Sequence, residues 1–165
     1  MSSWIITDAT TVDGSSIDIA IEDGRISRLE AAGSIDPTAV PESQRYDAGG
    51  RLVTPSLTEP HIHLDATLTA GQPEWNDSGT LAEGIRIWGD RKETLDADDV
   101  KARAERAVEW LAAHGVTRVR THADTTEESL TGVRALLELR EEVADIVDLQ
   151  VVAFPQDGIF TDPTH

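Results

Sequence analysis

The feature that most constrains this chain is an alternation that sets in near residue 55. Short apolar runs ending in polar residues are separated by stretches of helical periodicity. Leu52, Val53 and Leu57 lead into Thr58-Glu-Pro-His-Ile-His-Leu-Asp65, which reads as a strand, and a loop with Gly71, Pro73 and Gly79 follows. Leu81, Ile85 and Trp88 recur at helical spacing. Asp96 is then placed to cap a longer helix whose stripe is Val100, Ala104, Ala107, Val108 and Leu111, and Gly115 ends it. Residues 116–122 read as a second strand, 126–143 as a helix with Leu130, Val133, Leu137 and Val143 inward, and 149–154 as a third strand. Strands alternating with helices of this length pair in parallel through right-handed crossovers. The pattern therefore predicts an α/β layered sheet or the opening of a (β/α)8 barrel. A complete barrel takes ~250 residues, so 165 residues leave room for about three βα units.

The first fifty residues have another character. Ile17, Ile19 and Ile21 alternate with Asp18 and Ala20 before Glu22-Asp23-Gly24-Arg25, and Ile26 and Leu29 resume the strand pattern. An Asp-Gly pair between apolar runs predicts a tight hairpin, because glycine accepts the positive φ such a turn demands. Residues 31–45 carry Gly, Pro and Ser without periodicity and read as an exposed connection. The expected organisation is a small β domain over residues 1–54 and an α/β region over 55–165.

Charge and composition narrow the function. The chain carries 31 acidic against 14 basic residues, a formal net charge of -17. A phosphate backbone would be repelled, so nucleic acid is not an expected partner. The acids are scattered rather than clustered, which suits a protein kept hydrated in concentrated salt, where the Debye length falls to roughly 3 Å at 1 M. The competing reading is an acidic surface that docks a basic partner. There are no cysteines, which removes disulfides, thiolate metal sites and cysteine nucleophiles and fits a reducing cytoplasm. Neither a signal peptide nor a membrane span is expected.

His61 and His63 sit two apart on a predicted strand, so both imidazoles share one face while Ile62 takes the other. That spacing suits two ligands of one zinc or ferrous ion at a barrel mouth; a hydrogen-bonded pair on a strand is the plainer alternative. Arg120-Thr-His-Ala-Asp124 and Phe154-Pro-Gln-Asp-Gly158 end the next two predicted strands, so three polar strand ends meet at one rim. His122 reads either as part of the site or as a structural hydrogen-bonder. Gln156 offers a donor and an acceptor from one planar amide, matching the edge of an amide-like heterocycle, with an ordinary turn residue as the alternative. Asp65 and Asp124 read as supporting carboxylates. Trp75 and Asn76 either line the mouth or pin the loop. Trp88 and Trp110 are expected in the core, His114 at a helix end, and His165 as a frayed terminal residue.

The runs Glu59-Pro-His-Ile-His-Leu-Asp65, Thr69-Ala-Gly-Gln-Pro-Glu-Trp-Asn76, Arg120-Thr-His-Ala-Asp124 and Val152-Ala-Phe-Pro-Gln-Asp-Gly158 together resemble the bacterial-type cytosine deaminases of the amidohydrolase superfamily, in order and over nearly the whole chain. The resemblance implies a partial amidohydrolase-type (β/α)8 TIM barrel preceded by half of a composite β domain. It further implies His61 and His63 as ligands of a divalent ion, Fe2+ or Zn2+, and Gln156 as a contact to the pyrimidine. His122 and Asp124 would support the ligands from behind. The implied reaction is hydrolysis of cytosine to uracil and ammonia. Family members complete the metal shell with a histidine and an aspartate and supply a glutamate as general acid and base, all from later strands. No catalytic proton carrier is therefore assigned in this chain, which reads as a truncated or split deaminase whose partner is a chain supplying the rest of the barrel, or which forms a homo-oligomer. Zinc deaminases that act on flipped bases need a Pro-Cys-x-x-Cys element and are excluded. An amidohydrolase for another cyclic amide or amino-heterocycle and a non-catalytic binding or assembly module are the alternative functions.

Overall fold

The computed structural model describes residues 3–158, which fall into two compact units divided after Pro55. The first unit is a four-stranded sheet formed by β1 (Ser3–Thr10), β2 (Ser16–Glu22), β3 (Arg25–Ala31) and β4 (Arg45–Asp47), in the order β3-β2-β1-β4. The expected hairpin joins β2 to β3 through Asp23 and Gly24, both at positive φ. Such a two-residue turn twists the way its strands do. Strand β2 departs from the simple alternation expected of it. Ala20 packs with Ile5, Ile35 and Val40, and Ile19 packs with Ala9 and Ala48, so both faces of this interior strand are covered.

The stretch 31–45 is accordingly not a plain exposed connection. It contains two short 3-10 turns, and Ile35 and Val40 are core residues. What holds it is Asp18, fully buried on β2. Its carboxylate accepts backbone N–H bonds from Gly33 (2.8 Å), Ile35 (3.2 Å) and, at the β1 bulge, Asp8 (3.0 Å). Burial pushes this carboxyl up, yet the backbone donors outweigh it and hold its pKa below the usual range.

The second unit contains β5 (Leu57–Ile62), α1 (Leu81–Lys92), α2 (Ala97–Ala113), β6 (Val116–Asp124), α3 (Thr131–Glu142) and β7 (Asp148–Phe154). The three strands form a parallel sheet in the order β5-β6-β7. This is a partial barrel of about three βα units. Asp96 caps α2 by accepting from the Asp99 N–H, and Gly115 leaves the helix at φ +82. Val100, Ala104, Ala107 and Val108 are buried as their spacing predicts, and Leu111 is partly so. Among the described residues no helix is long and apolar enough to cross a membrane.

Three expectations need correction. Helix α3 begins at Thr131, because the Glu127 carboxylate folds residues 127–131 into a loop by accepting the Ser129 and Thr131 N–H groups. Leu130 then adopts φ +53 outside the helix, and the inward face is Ala135, Leu136, Leu139 and Val143, leaving Leu137 40% exposed. On α1 the buried side is Ile87, whereas Leu81 (80%) and Ile85 (38%) face out. Trp110 is not core either: it is 48% exposed with Arg106 over its ring. On α3 two apolar stripes fit helical spacing, and packing against α2 and the sheet chose between them. Leu136→Ala is expected to lower the stability of the second unit by about 2–5 kcal/mol in urea unfolding, while Leu137→Ala changes it by about 0.5 kcal/mol or less.

Candidate functional site

Because β5, β6 and β7 run parallel, their carboxyl ends lie at one rim, and the chemistry-bearing residues gather there. The chain at the end of β5 is fixed by its apolar neighbours. Ile62 packs against the core, Leu64 is fully buried within it, and the Leu64 N–H donates to the buried Thr121 hydroxyl at 3.0 Å. With 62 and 64 directed into the core, strand alternation sends His61 and His63 to the opposite face.

Their ring centres lie 5.3 Å apart. Two imidazoles bound to one tetrahedral ion at roughly 2.0–2.1 Å have centres roughly 5 Å apart, so this pair fits a shared metal. His122, on β6, joins them: its ring centre is 4.0 Å from that of His61 and 6.0 Å from that of His63. Phe154, the last residue of β7, meets His63 edge-on at 5.0 Å and His122 at 6.0 Å, giving the cluster an apolar wall. Among the described residues no group of three or more His, Asp or Glu is arranged to hold an ion. What the described chain offers is a pair, with His122 beside it.

His122 is distinctive in another way, since its Nδ1 is buried and without a hydrogen-bond partner among the described residues. Desolvation, then the neighbouring imidazoles of His61 and His63, then Arg120, hold its pKa below the usual histidine value. A neutral ring with an unspent nitrogen is the chemical state in which imidazole serves as a ligand or hydrogen-bond donor.

Asp124 stands apart from the three histidines. One oxygen accepts from Trp88 Nε1 (3.0 Å) and Lys92 Nζ (3.0 Å), and the other from the Thr126 hydroxyl (2.6 Å). Burial raises its pKa, but these bonds and the Thr126 N–H outweigh it and the net shift is downward. Asp65 accepts the Asp124 N–H at 2.8 Å, and its pKa is raised, mainly by burial. Gln156 is half-buried in a turn closed by a Gly158 N–H bond to the Pro155 carbonyl (2.9 Å). Trp88, expected in the core, is partly buried and serves as a donor to the rim. Trp75 is 67% exposed and lies against Gly71; with Trp88 and Asn76 it lines a cavity of about 320 Å³. His114 caps α2, its Nδ1 2.7 Å from the Trp110 carbonyl. His165 lies outside the described residues.

Two features escaped the sequence reading. Phe154 was legible only as the end of an apolar strand, and Lys92 only as a lysine at the end of a helix. Asp124 at the end of β6 and Asp157 in the turn after β7 were the available hint that a cation had to be close by.

Similarity to known proteins converges on one family. Residues 44–162 match the model of the amidohydrolase family. The structure of 5-methylcytosine deaminase from Klebsiella pneumoniae liganded with 5-fluorocytosine superposes with a TM-score of 0.89 and 44% identity, covering 97% of this chain and 38% of that one. N-isopropylammelide isopropyl amidohydrolase of Pseudomonas sp. (strain ADP) is 31% identical over 88% of this chain and 36% of its own. Pterin deaminase of Rhizobium rhizogenes is 31% identical over 88% and 33%. The chain thus spans little more than a third of these relatives' length. In an NMR titration, the His122 ring should protonate below the usual midpoint of about pH 6.5. Replacing both His61 and His63 with alanine removes two repelling neighbours, so its midpoint is expected to rise.

Proposed function

The chain belongs to the amidohydrolase family, and from that premise we propose that it forms the opening part of a metal-dependent deaminase acting on cytosine or a close aminopyrimidine, releasing uracil, or its analogue, and ammonia. The observation that carries this is the His61–His63 pair, held 5.3 Å apart at the carboxyl rim of a parallel sheet, in a chain 44% identical to a 5-methylcytosine deaminase. His61 and His63 would hold a divalent ion, Fe2+ or Zn2+, both of which accept imidazole nitrogen ligands. When bound, the ion supplies Lewis acidity that activates water near neutral pH.

The chain's own residues do the rest of what is assigned here. His122 remains neutral beside the pair and adds no charge to a site that must accept a cation. Phe154 keeps water from one side of the rings. Gln156 presents its amide donor and acceptor to the polar edge of the pyrimidine. The proton carrier and the remaining ligands belong to the part of the relatives that this chain does not span, contributed by further polypeptide or a partner chain. In this scheme residues 1–54 are half of a composite β domain and 55–165 the first βα units of the barrel. We read the net charge of -17 as adaptation to concentrated salt in a cytoplasmic protein.

A second reading has specific support, since relatives at 31% identity include one named for an N-alkylated triazine derivative, N-isopropylammelide, and one named for pterins. The same platform then serves another amino-heterocycle. Calorimetry with Zn2+ or Fe2+ under anaerobic conditions is expected to show one ion per chain, lost in His61→Ala and His63→Ala and retained in His114→Ala. Turnover of cytosine, 5-methylcytosine and pterin by the protein with its barrel completed then ranks the substrates. An unmodified chain that takes up no ion, or binding that survives both histidine replacements, overturns the proposal.

A further inference from the structure

We propose that Lys92 is the positioning residue for Gln156, a buried cation that fixes the turn bearing the substrate-contacting amide against the histidine-bearing strands. This rests on the reading of Gln156 given above.

Lys92 is the last residue of α1, and its side chain is only 9% exposed. Its Nζ reaches Asp157 Oδ2 at 2.6 Å, Asp124 Oδ2 at 3.0 Å and the Thr126 hydroxyl at 3.0 Å. Asp157 directly follows Gln156, and its same oxygen accepts from Thr126 at 3.1 Å. The turn over residues 155–158 has one internal hydrogen bond. The Asp157 carboxylate attaches this turn to Lys92 and Thr126.

The connections continue inward. Asp124 ends β6, pairs in register with Phe154, and donates its N–H to Asp65, two residues past His63. Directly through Asp124 and Asp157, and through Asp124 to Asp65, one ammonium therefore connects the carboxyl ends of the strands that carry the histidines with the turn that carries Gln156. Burying an ammonium is costly unless carboxylates face it, and apolar side chains of similar volume commonly serve stability as well or better. A charge here has a different use, because it can be satisfied only when both carboxylates occupy their places. That condition sets where the turn, and with it the Gln156 amide, sits relative to the imidazoles. Geometry of this kind affects how well substrate is held more than the chemical step itself.

Lys92→Met, Asp157→Ala, Lys92→Arg and, as a control elsewhere, Lys101→Met are compared. Lys101 pairs with Glu142 at 2.5 Å between α2 and α3, an ion pair separate from that of Lys92. Amide hydrogen exchange on the chain itself is expected to accelerate at Gly158 by about tenfold or more in Lys92→Met and Asp157→Ala, with the β6–β7 ladder amides unchanged. Lys92→Arg recovers part of the protection, and Lys101→Met has no effect. Should Lys92→Met fail to fold, Asp157→Ala decides, since Asp157 is 44% exposed and its loss leaves the Lys92–Asp124 pair in place.

In the protein competent for turnover, Asp157→Ala is expected to raise KM about tenfold, the loss of roughly one substrate hydrogen bond, with a smaller change in kcat. Unchanged exchange at Gly158 in Asp157→Ala overturns the inference, as does an unchanged KM alongside a lowered kcat. If the unmodified protein turns over no heterocycle, it is the proposed function that falls. The exchange measurement then still decides whether Lys92 places the turn.

Discussion

The parallel pairing of β5, β6 and β7 is the constraint from which the site follows. Parallel strands put all their carboxyl ends at one edge, and the continuous β6–β7 register, from Arg118 opposite Asp148 to Asp124 opposite Phe154, brings His122 and Phe154 to neighbouring levels. Where β5 ends, Ile62 packs against the core and Leu64 enters it, while His61 and His63 meet on the other side. The core and the histidine cluster are thus two consequences of one alternation. Nothing in the helices needs to reach the imidazoles for them to meet.

Behind the imidazoles, the rim is held by polar groups taken out of water. Asp65 and Asp124 are joined by a backbone hydrogen bond but differ in what surrounds them. Asp65 is dominated by burial and its pKa rises, whereas Asp124 has Lys92, Trp88 and Thr126 around it and its pKa falls. Inside a low-dielectric region such a network is strong when every member is satisfied and costly when one is missing. Helix α3 approaches so closely that a Cβ at Gly132 would lie 3.3 Å from the Asp65 Cβ. Even a loop connection is therefore packed to the dimensions of this carboxylate.

The relatives of this stretch are named for different heterocycles. A 5-methylcytosine deaminase, an enzyme named for N-isopropylammelide and a pterin deaminase share the architecture of this stretch at 31–44% identity. Barrel enzymes generally build their sites at the carboxyl ends of the strands and vary substrate through the loops there. This chain spans 38% of the Klebsiella deaminase.

Much of this was legible in the sequence because period and punctuation are local. The Asp-Gly hairpin, the Asp96 cap, the Gly115 stop, the three parallel strands and the shared face of His61 and His63 all follow from backbone sterics and side-chain alternation within a few residues. Other features required the docked partner. Leu136 rather than Leu137 entered the core, Ile35 and Val40 were drawn in by Asp18, and Trp110 was left at the surface, because helical spacing admits more than one stripe and only packing selects among them. The nearness of His122 to His61, and the buried Lys92 reaching Asp124 and Asp157, join residues 32 to 65 positions apart in sequence. Coulombic and hydrogen-bond partners at that separation leave no periodic trace along the chain, so only the tertiary structure decided them.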